Sequence, residues 1–67
     1  MTLREKLLTA SKKHFEAHIQ KHIVNIEVLL DNPVGVAEHP DIMETIEQEL
    51  AQIAEYHDKL EMLDTYF

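Results

Sequence analysis

Sixty-seven residues with no cysteine, one glycine and two prolines exclude a disulfide-stapled or thiolate–zinc miniprotein and a turn-rich all-β fold. A net charge of −7 opposes nonspecific binding to nucleic acid or to an anionic membrane. No apolar run is long enough for a membrane span or a signal-peptide core. The expectation is a soluble, cytoplasmic, all-α chain of one domain, near the lower size limit for folding alone.

The first predicted element is a helix over 2–30. Thr2 is a good N-cap and Glu5 stands three residues later, the spacing of a capping box. No glycine or proline interrupts the stretch from there to Leu30. Leu8, Phe15, Ile19, Ile23, Ile26 and Leu30 fall on one face at a 3.6-residue period. Asp31-Asn32-Pro33 ends the helix, because the residue before a proline is pushed out of the helical region. A connection over 31–39 follows, carrying Pro33 and Gly35 with apolar Val34, Val36 and Ala37. A second helix is predicted over 40–66, with Pro40 in its first turn and His39 or Asp41 near its cap. Its face is Ile42, Ile46, Leu50, Ile53, Leu60 and Phe67, of which Ile46, Ile53, Leu60 and Phe67 repeat every seven residues. Two long helices with a short link pack antiparallel. That register sets Ile23 near Ile46, Ile19 near Leu50, Phe15 near Ile53, Glu49 near His22 and His57 near His14.

One hairpin buries a single narrow seam, which barely offsets the cost of ordering its residues. Helix 1 also carries a second stripe of Leu3, Ala10, Ala17, Val24 and Val28, while Met43, Ala54, Tyr56 and Leu63 widen the face of helix 2. Apolar surface on two sides is the pattern of a four-helix-bundle subunit. Self-association as a homodimer or tetramer, foremost a dimer forming such a bundle, or a constitutive partner is therefore expected, with Val24, Val28 and Ala17 as intersubunit residues. The simpler reading of the second stripe is that its small residues are good helix formers. Charge supports side-by-side packing. Residues 1–30 hold five basic and three acidic side chains, a net +2, and residues 31–67 hold one basic and ten acidic, a net −9.

Two constellations carry possible chemistry. His14, His18 and His22 climb one side of helix 1 at four-residue steps, with His22 toward the seam, His18 at its border and His14 further out. Glu49 and His57 point seamward on helix 2. A His pair at i, i+4 facing a carboxylate can hold zinc or iron inside a bundle, so His18, His22 and Glu49 are candidate metal ligands. The Glu-x-x-His and His-Glu-x-x-His motifs of established metal bundles and proteases are absent, and the simpler reading is a His–Glu hydrogen bond. The acidic run Glu44, Glu47, Glu49, Glu55, Asp58, Glu61 and Asp64 would suit a basic protein partner or imitate a phosphate backbone; a solvated face that keeps a bundle dissolved is its simpler use. With one serine, no cysteine and no glycine-rich phosphate loop, no nucleophile has a convincing setting and no enzyme is expected.

The segments His14-Phe15-Glu16-Ala17-His18-Ile19, Asn32-Pro33-Val34-Gly35-Val36 with Glu38-His39, and Ala54-Glu55-Tyr56-His57-Asp58-Lys59-Leu60-Glu61 resemble small helical proteins of marine T4-like phages, including cyanophages. The resemblance spans most of the chain and includes no functional motif. It implies a helical protein made in an infected bacterium, either an accessory protein binding a host or phage factor or a virion component, and it implies no activity.

Overall fold

The computed structural model describes residues 1–31 and 41–67. The expected connection, apart from Asp31, lies outside the described residues, as do His39 and Pro40. Two helices make up the rest: α1 is Leu3–Asp31 and α2 is Ile42–Tyr66. They pack against each other, and no strand occurs among the described residues.

Each helix starts where a side chain can take up its orphan amides. The Glu5 N–H donates to Thr2 Oγ1 at 3.1 Å, and the Lys6 N–H donates to the Thr2 carbonyl at 3.0 Å. Asp41 is extended (φ −140°, ψ 90°), so its Oδ1 accepts from the Glu44 N–H at 2.8 Å. Its carbonyl accepts from the Thr45 N–H at 3.3 Å and from the Thr45 hydroxyl at 3.2 Å. A carboxylate here also sits at the positive end of the helix dipole. The second helix therefore begins at Ile42, two residues later than expected, and the first runs one residue further, to Asp31. At the far end the Phe67 N–H closes on the Leu63 carbonyl at 3.1 Å.

The seam follows a seven-residue repeat on both helices. Leu8, Phe15, His22 and Leu29 form its row on α1, and Ile42, Glu49, Tyr56 and Leu63 form one row on α2, all at least half-buried. Ile46, Ile53 and Leu60 form the adjacent α2 row, also half-buried. Three residues expected in the seam are outside it: Leu30 is 63% exposed, Leu50 51% and Phe67 71%. A straight 3.6-residue helix drifts about 20° per heptad from a 3.5-residue seam, so over three heptads Leu29 replaces Leu30. Tyr56 and Leu63, expected to widen the face, belong to the seam itself.

The packed helices form a rod of 50 × 18 × 14 Å with a radius of gyration of 15.5 Å, where a compact chain of this length would have about 11 Å. Among the described residues no apolar side chain is fully buried, and the only buried residue of any kind is His22, 8% exposed. Neither helix is long and apolar enough to cross a membrane.

The Asp41 cap makes a local prediction. Asp41→Ala is expected to lower stability by about 1 kcal/mol, read as a shift in the denaturant midpoint at fixed protein concentration. An unchanged midpoint would show that the cap contributes nothing.

Candidate functional site

The polar positions of the seam gather midway along the rod. His14, His18 and His22 come from three successive turns of α1, Asn25 from the next, and Glu49, Tyr56 and Lys59 from α2. Glu49 Oε2 accepts from His22 Nδ1 at 2.6 Å and from Asn25 Nδ2 at 3.1 Å. An ionised carboxylate only accepts, so the proton of this short bond sits on the His22 ring. The two side chains are 11% and 22% exposed, which shields the bond from water without sealing it.

Tyr56 occupies the next layer. The His18 ring lies flat on it, 4.3 Å between centroids and 14° between planes. His14 meets His18 edge-on at 4.5 Å, Phe15 tilts against Tyr56 at 6.1 Å, and Lys59 Nζ stands 5.1 Å from the Tyr56 centroid. Phe15 thus pairs with Tyr56, nearly one turn past the Ile53 expected opposite it. His14 also meets Tyr56, edge-on at 6.5 Å, while His57, the partner expected for it, is exposed. The stacking leaves His18 Nδ1 buried with no hydrogen-bond partner.

These surroundings shift two groups. Hydrogen bonds from His22 and then Asn25 hold the Glu49 carboxyl below the usual carboxylate range; partial burial pulls the other way, and the charges of His22 and Lys21 add to the lowering. Burial lowers the His18 imidazole, with the charges of His14, Lys21, His22 and Lys59 adding to the effect.

The expected neighbours His22 and Glu49 are in contact, and His18 stands on the adjacent turn. The three do not converge on one point. His22 Nδ1 is committed to Glu49, His18 is stacked on Tyr56, and no group of three His, Asp or Glu among the described residues is arranged to hold a metal ion. Asn25 and Tyr56 are the members sequence reasoning missed. Asn25 stands seven residues after His18 and Tyr56 seven after Glu49, and that heptad spacing was the signal available. The intersubunit candidates Val24, Val28 and Ala17 are exposed, about 120–160° round α1 from His22 at about 100° per residue. No family model, curated protein or solved structure matches this chain.

Both shifts act on stability in the same direction. The ordinary values are 6.5 for His18 and 4.5 for Glu49, and each is lower in the folded chain. Below each ordinary value the unfolded chain takes up the proton first, so stability is full above that pH and is lost as pH falls through the folded value. The thermal midpoint is expected to fall with acidification first below about pH 6.5 and again below about 4.5. His18→Phe keeps a ring on Tyr56 and should flatten the first window; Glu49→Gln should flatten the second. A variant with the parent's full pH dependence would remove that residue from the account.

Proposed function

We propose that this chain is a non-enzymatic protein–protein interaction module, an antiparallel α-hairpin that pairs with a second copy into a four-helix bundle. The observation that carries the reading is the missing interior: no apolar residue among those described is buried, while Leu30, Met43 and Leu50 are all more than half exposed. Chains of this size without disulfide or structural metal usually complete their core with another chain, and a two-fold dimer is the commonest closed solution.

Surface area supports the same reading. The chain exposes 5250 Å², whereas a compact folded chain of its mass would expose about 4,400 Å². The surplus of about 850 Å² is close to the roughly 800 Å² that one partner contributes to a standard interface. Pairing through apolar surface leaves Glu44, Glu47, Glu55, Asp58 and Glu61, all exposed, as an acidic exterior suited to a basic protein partner. The resemblance to small phage proteins extends the proposal to an accessory protein that meets a host or phage factor in the cytoplasm of an infected bacterium.

Folding coupled to pairing is concentration-dependent. A hundredfold rise in protein concentration should raise the thermal midpoint by roughly 10 °C for a dimer of this size. A midpoint that does not move over that range would identify a self-sufficient monomer and defeat the proposal.

A further inference from the structure

The two edges of the seam differ in chemistry, and an ion pair shows which residues share an edge. Lys12 Nζ lies 2.7 Å from Asp64 Oδ1. On α1, Lys12, Ile19 and Ile23 fall in one row at steps of seven and four; on α2, Asp64, Ile53 and Ile46 fall in one row at steps of eleven and seven. This edge therefore presents Ile19, Ile23 and Leu30 from one helix and Ile46, Leu50 and Ile53 from the other. The opposite edge is fixed by His18 on Tyr56 and by Lys59 over Tyr56. It presents Ser11, His18, Asn25, Thr45, Tyr56 and Lys59. From His18 to Leu30 and from Ile42 to Tyr56 one side of the hairpin is a strip of aliphatic side chains and the other is polar and aromatic. Toward the termini the first side carries the Lys12–Asp64 pair and the second a groove lined by Ser11, Phe15, Lys59, Met62, Leu63 and Phe67.

We infer that the aliphatic edge is the surface that takes the second copy, with α1 of one copy lying beside α2 of the other. The inference rests on the self-association proposed above and selects its surface. In a square four-helix bundle each helix meets two neighbours about 90° apart. At about 100° per residue, Ile19, Ile23 and Leu30 lie about 60–100° from His22, and Ile46, Ile53 and Leu50 lie about 40–100° from Glu49. Val24, Val28 and Ala17, about 120–160° away on α1, point too far from the seam to share that face. The intersubunit surface moves accordingly from that stripe to the edge. The half-exposure of Leu50 and the 63% exposure of Leu30 are then the unburied half of a dimer core.

Charge selects the pairing within that face. Along Leu3–Asp31 five basic residues stand against four acidic, a net +1, and along Ile42–Tyr66 one basic residue stands against seven acidic, a net −6. A two-fold axis perpendicular to the rod would stack α2 on α2, setting −6 against −6. An axis parallel to the rod sets α2 beside the less charged α1 and lowers the repulsion. It also keeps residues at their own level, so Ile23 of one copy faces Leu50 of the other, as His22 and Glu49 stand level within one hairpin.

Two experiments on the full chain test the inference. In sedimentation equilibrium, Leu50→Lys should raise the dimer dissociation constant roughly 100-fold or more, and Val24→Lys with Val28→Lys should leave it nearly unchanged. A Leu50→Lys chain that dimerises like the parent overturns the inference, as does dissociation by the valine pair. A parent that is monomeric at every concentration overturns the self-association reading as well, so the two failures are distinct. Because a monomeric Leu50→Lys chain is at risk of unfolding, cross-linking supplies the second readout. The chain has no native cysteine, so Ile23→Cys and Leu50→Cys chains, mixed and treated with a short bis-maleimide, should cross-link to each other far more than either does to itself. Cross-linking within the separate variants but not in the mixture overturns the pairing.

Discussion

Two helices in contact meet along a line, and a line encloses no volume. Every apolar side chain in this seam has a helix on one side and water on the other, which is why Phe15, Ile19, Ile46 and Ile53 are buried in part and none completely. Burial contributes roughly in proportion to area removed from water, while ordering the backbone costs nearly the same per residue in any fold. A hairpin of this length is thus left with the full entropic cost of two long helices and only part of the burial that offsets it. Caps at Thr2 and Asp41 and the Lys12–Asp64 and Lys59–Glu55 ion pairs help at the margin; exposed ion pairs contribute little. On the proposed reading the remaining burial comes from a second copy.

Within that constraint the deepest position is given to a polar group. An apolar seam built on heptads is nearly as well satisfied when one helix slides a turn past the other, and a buried polar contact removes that degeneracy because it has one good geometry. Glu49, accepting from both His22 and Asn25, ties α2 to two points on α1 and so sets the offset that the aliphatic residues leave loose. The Tyr56 layer extends the same role along the rod, since His18, His14 and Phe15 all close around one ring. These contacts lie in the seam or on its polar edge. From Ile19 to Leu30 and from Ile46 to Ile53 the aliphatic edge is thereby left without these polar contacts, and the Lys12–Asp64 ion pair on that edge lies toward the termini.

Much of this was legible in the residues. The unbroken stretch from Thr2 to Leu30, the Asn32-Pro33 stop and the sevenfold spacing of Ile46, Ile53 and Leu60 were enough for two antiparallel helices, and counting back from the turn put Glu49 beside His22. What escaped has a common cause. A 3.6-residue template selected Leu30 and Leu50, where the supercoiled seam takes Leu29 and Tyr56. Asn25 was passed over because polarity pattern alone marks polar residues as surface, and Tyr56 was assigned only to the margin of an apolar face, whereas here the seam itself is mixed. Helix geometry assigns residues to the two edges once the facing rows are known, and the Lys12–Asp64 ion pair marks one of them. A metal centre at His18, His22 and Glu49 followed from spacing, but spacing does not show that Tyr56 takes the His18 ring.

The central claim is that one hairpin is half of a folding unit, and the mass of the assembly tests it most directly. Native mass spectrometry of the untagged chain, as isolated and after chelation, should give twice the 7.8 kDa chain mass in both samples, with no metal adduct. A bare chain mass that persists at high concentration, from a sample that is still fully helical, would contradict the account.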